Sequence, residues 1–333
     1  MSIKSLMDYS FVSKYARWIP EKSRRETWRE SVDRVMNMMY DQYPEVNGDI
    51  SWAYNMMYKK RVLGSQRALQ FGGKPIFKHN ARMYNCIASY IDRVRFFQEC
   101  MYLLLCGCGT GFSVQKHHID KLPDLVDKKS GIKKFVIPDS IEGWSDAIGV
   151  LVSSYFNQTD LFPEYTGKNI NFDFSEIRAA GSFLSSSSGK APGPEPLKKA
   201  LANVKKVLDG AVKRSESSPN KLKPIEAYDV VMHSADAVIS GGVRRSATIC
   251  LFSPTDEEMA KAKTGNWFHE NPQRGRSNNS ALLIRGKTSE KQFAKLMSSV
   301  REFGEPGFVW SDSRELVVNP CVEIGLYPVD EET

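Results

Sequence analysis

The 333-residue sequence has no apolar run long enough to cross a bilayer. The longest, around Met101–Cys106, falls far short of the roughly 20 residues a spanning helix needs. The opening MSIKSLMDYS has no apolar core of the signal-peptide kind, so a cytoplasmic protein without a membrane role is expected. Blocks of like charge are also missing, and the net charge of +7 is spread along the chain, which argues against a nucleic-acid partner. The six cysteines lack the paired Cys-x-x-Cys spacing of a zinc site; Cys106 and Cys108 have no His or Cys following at ligand distance. In a reducing compartment such cysteines stay free thiols rather than a disulfide framework. No internal repeat is present, which excludes solenoids and propellers.

What is present is ordinary for a soluble enzyme: 41% hydrophobic and 26% charged residues, enough to bury a sizeable core. The length allows one large α/β domain or two smaller ones. A mild positive charge suits polyanionic small molecules such as nucleotides.

Periodicity predicts helix across 11–45, from the spacing of Trp18, Trp28, Val32, Val35 and Met39, and again over Trp52–Val62, ending at Gly64. Further helices are expected at Arg93–Leu105, Asp139–Tyr155, Leu197–Val212, Ile225–Ile239 and Thr288–Phe303. Short strands are expected at Phe112–Val114, Asn169–Phe174, Ser246–Phe252, Phe308–Trp310 and Glu315–Val318. Lys116–Phe135 reads as a lysine-rich loop region, and Gly181–Pro196, with four consecutive serines, as a loop or linker. Helices alternating with short buried strands predict an α/β architecture with mainly parallel strands.

Chemistry concentrates near the end of the sequence, in Asn319-Pro320-Cys321-Val322-Glu323. Pro320 disfavours helix at Asn319 and removes a backbone donor. Residues two apart in extended or tight-loop backbone project to one side, which groups an amide, a thiol and a carboxylate. Gly107, Gly109 and Gly111 suit either a phosphate-cradling turn or close packing against a neighbouring strand. The strand-like run after them argues against a dinucleotide-binding turn. Cys100, Cys106 and Cys250 read as packing residues. Arg244-Arg245 suits a phosphate site or a solvated turn equally, and His117-His118 reads as a surface pair rather than a metal site, because adjacent residues point apart on a strand.

The Asn-Pro-Cys-x-Glu pattern resembles the finger loop of ribonucleotide reductase catalytic subunits. Other segments resemble that family in the same order: Gly64-Ser65-x-Arg67, Asn85-Cys86, Gly107–Val114, Pro138–Trp144, Ser175–Arg178 with Gly181 and Gly193-Pro194, Gly241–Ala247, and Asn271-Pro272-Gln273-Arg274. The resemblance covers about residues 10 to 333, and its wording is most similar to the monomeric, adenosylcobalamin-dependent class II enzymes.

The resemblance implies thiyl-radical reduction of ribonucleotides to deoxyribonucleotides. Cys321 would carry the radical that takes the ribose 3′ hydrogen, Glu323 would be the base at the 3′ hydroxyl, and Asn319 would hydrogen-bond the ribose. Cys86 would deliver reducing equivalents and end in a disulfide. Ser65, Asn85, Cys108 and Gly109 would line the substrate. Asp139–Trp144, with Asp139 and Ser140 opening a helix, and Arg178–Ser188 would bind a deoxynucleotide effector. Implied partners are the ribonucleotide, a dNTP effector, a thioredoxin-like reductant and a complementary C-terminal chain. The last is expected because the family's second cysteine and its phosphate-binding loops find no match after Cys321.

The same resemblance implies a fold: an N-terminal helical region over 1–63, then over 64–333 the first half of a ten-stranded α/β barrel. Such a half would expose an unpaired sheet edge and be inactive alone. Adenosylcobalamin is the implied cofactor. The alternatives are the large subunit of a class I enzyme, with a radical from a di-metal small subunit, and a non-catalytic nucleotide-binding fragment.

Overall fold

The structure, a computed structural model, describes residues 2–126, 129–182, 190–214, 220–239 and 247–327. They group into two compact units, one running to Asn85 and one from Cys86 on.

In the first unit, helix α1 (Ile3–Lys14) is followed by a two-strand antiparallel ribbon, β1 (Trp18–Ile19) with β2 (Arg24–Arg25). Then come α2 (Trp28–Gln42), α3 (Asn47–Tyr58), α4 (Gln66–Phe71) and α5 (Lys74–Lys78). The single helical stretch expected over 11–45 is therefore split. Pro20 cannot donate within a helix, and Thr27 starts a new one through a reciprocal capping box with Glu30. Val32, Val35, Met36, Ile50, Met57 and Leu69 form this unit's core. Beside it Arg34 grips the buried Glu26 through both carboxylate oxygens, at 2.7 and 2.8 Å.

The second unit is built on a five-stranded sheet in the order β3-β4-β7-β8-β9. Its strands are β3 (Cys86–Tyr90), β4 (Gly109–Ser113), β7 (Thr248–Phe252), β8 (Ser277–Ile284) and β9 (Gly307–Ser311), and every pairing is parallel. A separate parallel pair joins β5 (Ile132–Val136) to β6 (Asn169–Asp173). The helices are α6 (Arg95–Leu105), α7 (Lys116–Ile119), α8 (Ile141–Ser153), α9 (Glu195–Arg214), α10 (Pro224–Ile239), α11 (Glu257–Ala260), α12 (Trp267–Glu270) and α13 (Glu290–Phe303). A short antiparallel hairpin, β10 (Val317–Val318) with β11 (Gly325–Leu326), closes the described chain. Among the described residues no helix is long and apolar enough to cross a membrane.

Strand alternation explains how the sheet is covered on both faces. Phe112, Cys250, Phe252, Ala281 and Leu283 point into the main core with α6, α8, α9 and α10. The intervening Ile249, Leu251 and Leu282 point the other way, onto Val318 of the hairpin.

β5 and β8 are among the strands that lie where none was expected. β5 falls inside the stretch read as a lysine-rich loop, its Lys133 and Lys134 flanked by Ile132 and Phe135. β8 was hidden because it opens Ser-Asn-Asn-Ser, a turn-like composition. Its polar groups are instead satisfied inside: Ser277 Oγ donates to Asn279 Oδ1 at 2.7 Å and shares a 2.9 Å hydrogen bond with the Tyr228 hydroxyl. The Gly241–Ser246 part of the expected glycine-arginine motif, and 183–188 of the expected effector loop, lie outside the described residues.

Candidate functional site

The hairpin holds Cys321 in the loop between β10 and β11. Val317 and Val318 are buried, while Cys321 is exposed. The loop is tied from inside: Asn319 Oδ1 accepts from the Ile324 amide at 3.0 Å, and the Val322 amide donates to the Asn319 carbonyl at 2.9 Å. Val322 adopts φ 64°, a left-handed conformation that a β-branched residue rarely takes, so the turn over the thiol is tight. The Asn319 side chain is buried, and its Nδ2 has no hydrogen-bond partner in the structure. It is a donor left free beneath the cysteine.

β10 lies against β3 and β4, and two glycines permit this. A Cβ at Gly111 would fall 1.7 Å from the Val318 carbonyl oxygen. A Cβ at Gly109 would fall 3.0 Å from Pro320 Cγ and 3.3 Å from Cys86 Sγ. Close packing against a neighbouring strand, one of the two readings of these glycines, is what the structure displays. The neighbour is the loop that carries Cys321.

Cys86 begins β3, paired in register with Gly109. Its thiol, the Cys321 thiol and the Glu323 carboxylate all lie within 4.8 Å of one another, and no disulfide joins the two cysteines. The Cys321 thiol is raised above the ordinary cysteine value, first by partial desolvation and then by the Glu323 charge and the Cys86 thiol. It is therefore a protonated S–H at neutral pH, the form from which a hydrogen atom can be taken.

The remaining predicted residues divide. Cys108 is buried immediately before β4. Ser65 and Asn85 belong to the N-terminal unit: the Ser65 hydroxyl caps α4, accepting from the Ala68 amide at 3.2 Å, and Asn85 is exposed just before β3. Asp139, Ser140 and Arg178 form a second cluster. Ser140 caps α8, accepting from the Gly143 amide at 2.9 Å, and Arg178 Nε donates to Asp139 Oδ2 at 2.5 Å. Gly143 is required there, because a Cβ would fall 2.2 Å from the Pro138 carbonyl oxygen.

The histidine pair was misread. His117 and His118 lie on α7 rather than on a strand, and His118 is fully buried. Both turn to one carboxylate: His118 Nε2 lies 2.9 Å from Glu315 Oε2, and His117 Nε2 lies 3.1 Å from Glu315 Oε1. Burial pushes His118 down to about 4. The doublet itself was the visible signal, but Glu315 is too distant in sequence to have been paired with it.

Comparison with known proteins bears on all of this. Residues 113–208 match the family model described as the B12-dependent ribonucleotide reductase insertion domain. Adenosylcobalamin-dependent ribonucleoside-triphosphate reductases of Lactobacillus helveticus and Lactobacillus leichmannii are 26% and 28% identical to the chain. In each case 89% of this chain aligns with 47% of the relative. A solved crystal structure of B12-dependent (class II) ribonucleotide reductase superposes with a TM-score of 0.77 at 24% identity, covering 92% of this chain and 49% of that one.

Over most of its length the chain is similar to about half of an adenosylcobalamin-dependent ribonucleotide reductase, and it shares the class II reductase fold.

It spans about half the length of the curated relatives it matches. The α/β architecture with its parallel sheet matches the class II reductase fold, as the resemblance implied. The insertion-domain match runs from the end of β4 through most of α9, and so includes the Asp139–Arg178 cluster.

Proposed function

We propose that the chain carries the radical and reducing thiols of a ribonucleotide reductase that uses adenosylcobalamin. The observation that carries this reading is the convergence of Cys86, Cys321 and Glu323 within 4.8 Å on a glycine-lined seat. The similarity to adenosylcobalamin-dependent ribonucleoside-triphosphate reductases favours the adenosylcobalamin class over a di-metal partner subunit, and ribonucleoside triphosphates as substrates. In this reading residues 1–63 are the N-terminal helical region and 64–333 the first part of the catalytic barrel.

The fit to the cofactor rests on Cys321, whose S–H is exposed at the loop surface where a one-electron oxidant can reach it. A bound cobalamin of this class supplies homolytic, one-electron chemistry. The rest falls to the chain's own residues. The Cys321 sulfur, once a thiyl, takes the ribose 3′ hydrogen atom. Glu323, beside it, accepts the 3′ hydroxyl proton. The free Asn319 donor lies below the loop, where it can hold the ribose oxygen. Cys86 supplies reducing equivalents and pairs with a cysteine from a complementary C-terminal chain, which a thioredoxin-like protein then reduces. Asp139, Ser140 and Arg178 form the dNTP effector site; Ser65, Asn85, Cys108 and Gly109 line the substrate.

The deciding experiment is co-expression with a chain carrying the second half. Nucleotide reduction is then assayed with and without adenosylcobalamin. Activity that requires both additions, and is lost in Cys321→Ser, supports the reading. Activity independent of cobalamin, or retained in Cys321→Ser, overturns it.

A further inference from the structure

We infer that His117, His118 and Glu315 form a binding site for a divalent transition-metal ion such as zinc or cobalt. The site is separate from the thiol cluster. Cys86 and Gly109 mark the start of β3 and β4, whereas Tyr90 and Ser113 mark their ends, and the histidines follow Ser113 on α7. Two imidazoles and one carboxylate, with ligand atoms within 4.8 Å of one another, make a donor set that suits these ions. Three protein ligands also leave a coordination position for water.

The surroundings orient the donors. His118 Nδ1 is engaged by Ser113 Oγ at 2.9 Å, so Nε2 is the nitrogen turned to Glu315. An ion at Nε2 leaves the ring proton on Nδ1, where the serine oxygen accepts it. The Tyr90 ring stacks on His118 with centroids 3.9 Å apart, and the Tyr90 hydroxyl donates to the Glu315 backbone carbonyl. The His118 ring and the Glu315 backbone are thus held from the same residue.

An independent sign comes from His117. Its Nε2 is shielded from solvent and faces Glu315 Oε1 at 3.1 Å, without a well-aligned hydrogen bond between the two atoms. A metal ion held between the two atoms would satisfy both. His117 as a whole is partly exposed, which gives the ion a way in from solvent. Glu315 stands two residues before β10, so an occupied site would tie the entry to the Cys321 loop onto α7.

The test is a Co2+ titration of the full chain carrying Cys86→Ser and Cys321→Ser, which removes thiolate ligation. The expected result is one equivalent bound, with visible bands of nitrogen and oxygen ligation and a rise in melting temperature. His117→Ala and Glu315→Gln should each weaken binding by about tenfold or more. Circular dichroism verifies that the variants fold, and His117, being partly exposed, is the substitution less exposed to misfolding. Absence of the bands in the parent, or bands and thermal shift unchanged in folded His117→Ala, overturns the inference.

Discussion

The backbone of Gly111 and the carbonyl of Val318 meet so closely that a side chain at 111 would begin 1.7 Å from the Val318 oxygen. Strand β4 and the strand entering the Cys321 loop therefore touch backbone to backbone. Gly111→Ala must push the hairpin off the sheet or bend β4. Overpacking of this kind costs about 1–3 kcal/mol. A lowered urea midpoint is expected, with the larger loss in Gly111→Ala and a smaller one in Gly109→Ala, whose nearest neighbour is Pro320 Cγ at 3.0 Å. Equal midpoints for wild type and Gly111→Ala would show that the hairpin is not seated there.

The two thiols should report their own proximity. A short bifunctional thiol reagent is expected to link Cys86 to Cys321 within one chain, read by peptide mass, and to fail in either Cys→Ser variant. Reactivity should also depend on Glu323. Its negative charge is one of the causes that raise the Cys321 thiol, so Glu323→Gln lowers the thiol's pKa and increases the thiolate at a given pH. Alkylation of Cys321 at mildly alkaline pH should then accelerate by roughly two- to fivefold. Partial desolvation is the larger cause and persists, so the thiol stays above its ordinary value. An unchanged or slower rate would mean the carboxylate does not face the sulfur.

Much of this site was legible because its signals are local. Asn319-Pro320-Cys321-Val322-Glu323 packs its chemistry and its turn into consecutive residues, and Asp139-Ser140 wrote the start of α8 as a cap. β4 and β6 were legible from alternation. β8 was not, because its polar first half is buried by partners such as Tyr228 that no local window contains. The His118–Glu315 contact was hidden for the same reason, joining residues brought together only by the parallel sheet. The glycines were ambiguous until the fold supplied what stands opposite each of them.

Arg178 and Asp139 separate stability from ligand binding. Both are partly exposed, at 38% and 30% of the side chain, and an ion pair so hydrated contributes less than about 1 kcal/mol. Arg178→Ala should therefore leave the melting temperature nearly unchanged. If the α8 N-terminus and this arginine hold a deoxynucleotide, the same substitution should weaken dATP, dTTP or dGTP binding by about tenfold or more in the complemented enzyme. Titration showing equal binding by wild type and variant would remove Arg178 from the effector site.

Arg274 gives the opposite case, a motif residue whose contacts are structural. It ends the Asn271-Pro272-Gln273-Arg274 run and donates to both oxygens of Asp229 on α10, at 2.9 and 2.7 Å. Its Nη1 donates to the Ala262 carbonyl at 2.8 Å, and Gln273 Nε2 donates to Asp229 at 3.3 Å. Only 14% of the arginine and 12% of the aspartate side chain is exposed. Asp229→Ala leaves a guanidinium largely desolvated and unpaired, so a loss of about 3–5 kcal/mol is expected by chemical denaturation. Replacing both partners together, as Asp229→Leu with Arg274→Met, removes the stranded charge and should recover most of that loss. A double variant as unstable as Asp229→Ala would mean that packing or the Ala262 and Gln273 contacts, rather than the unpaired charge, set the cost.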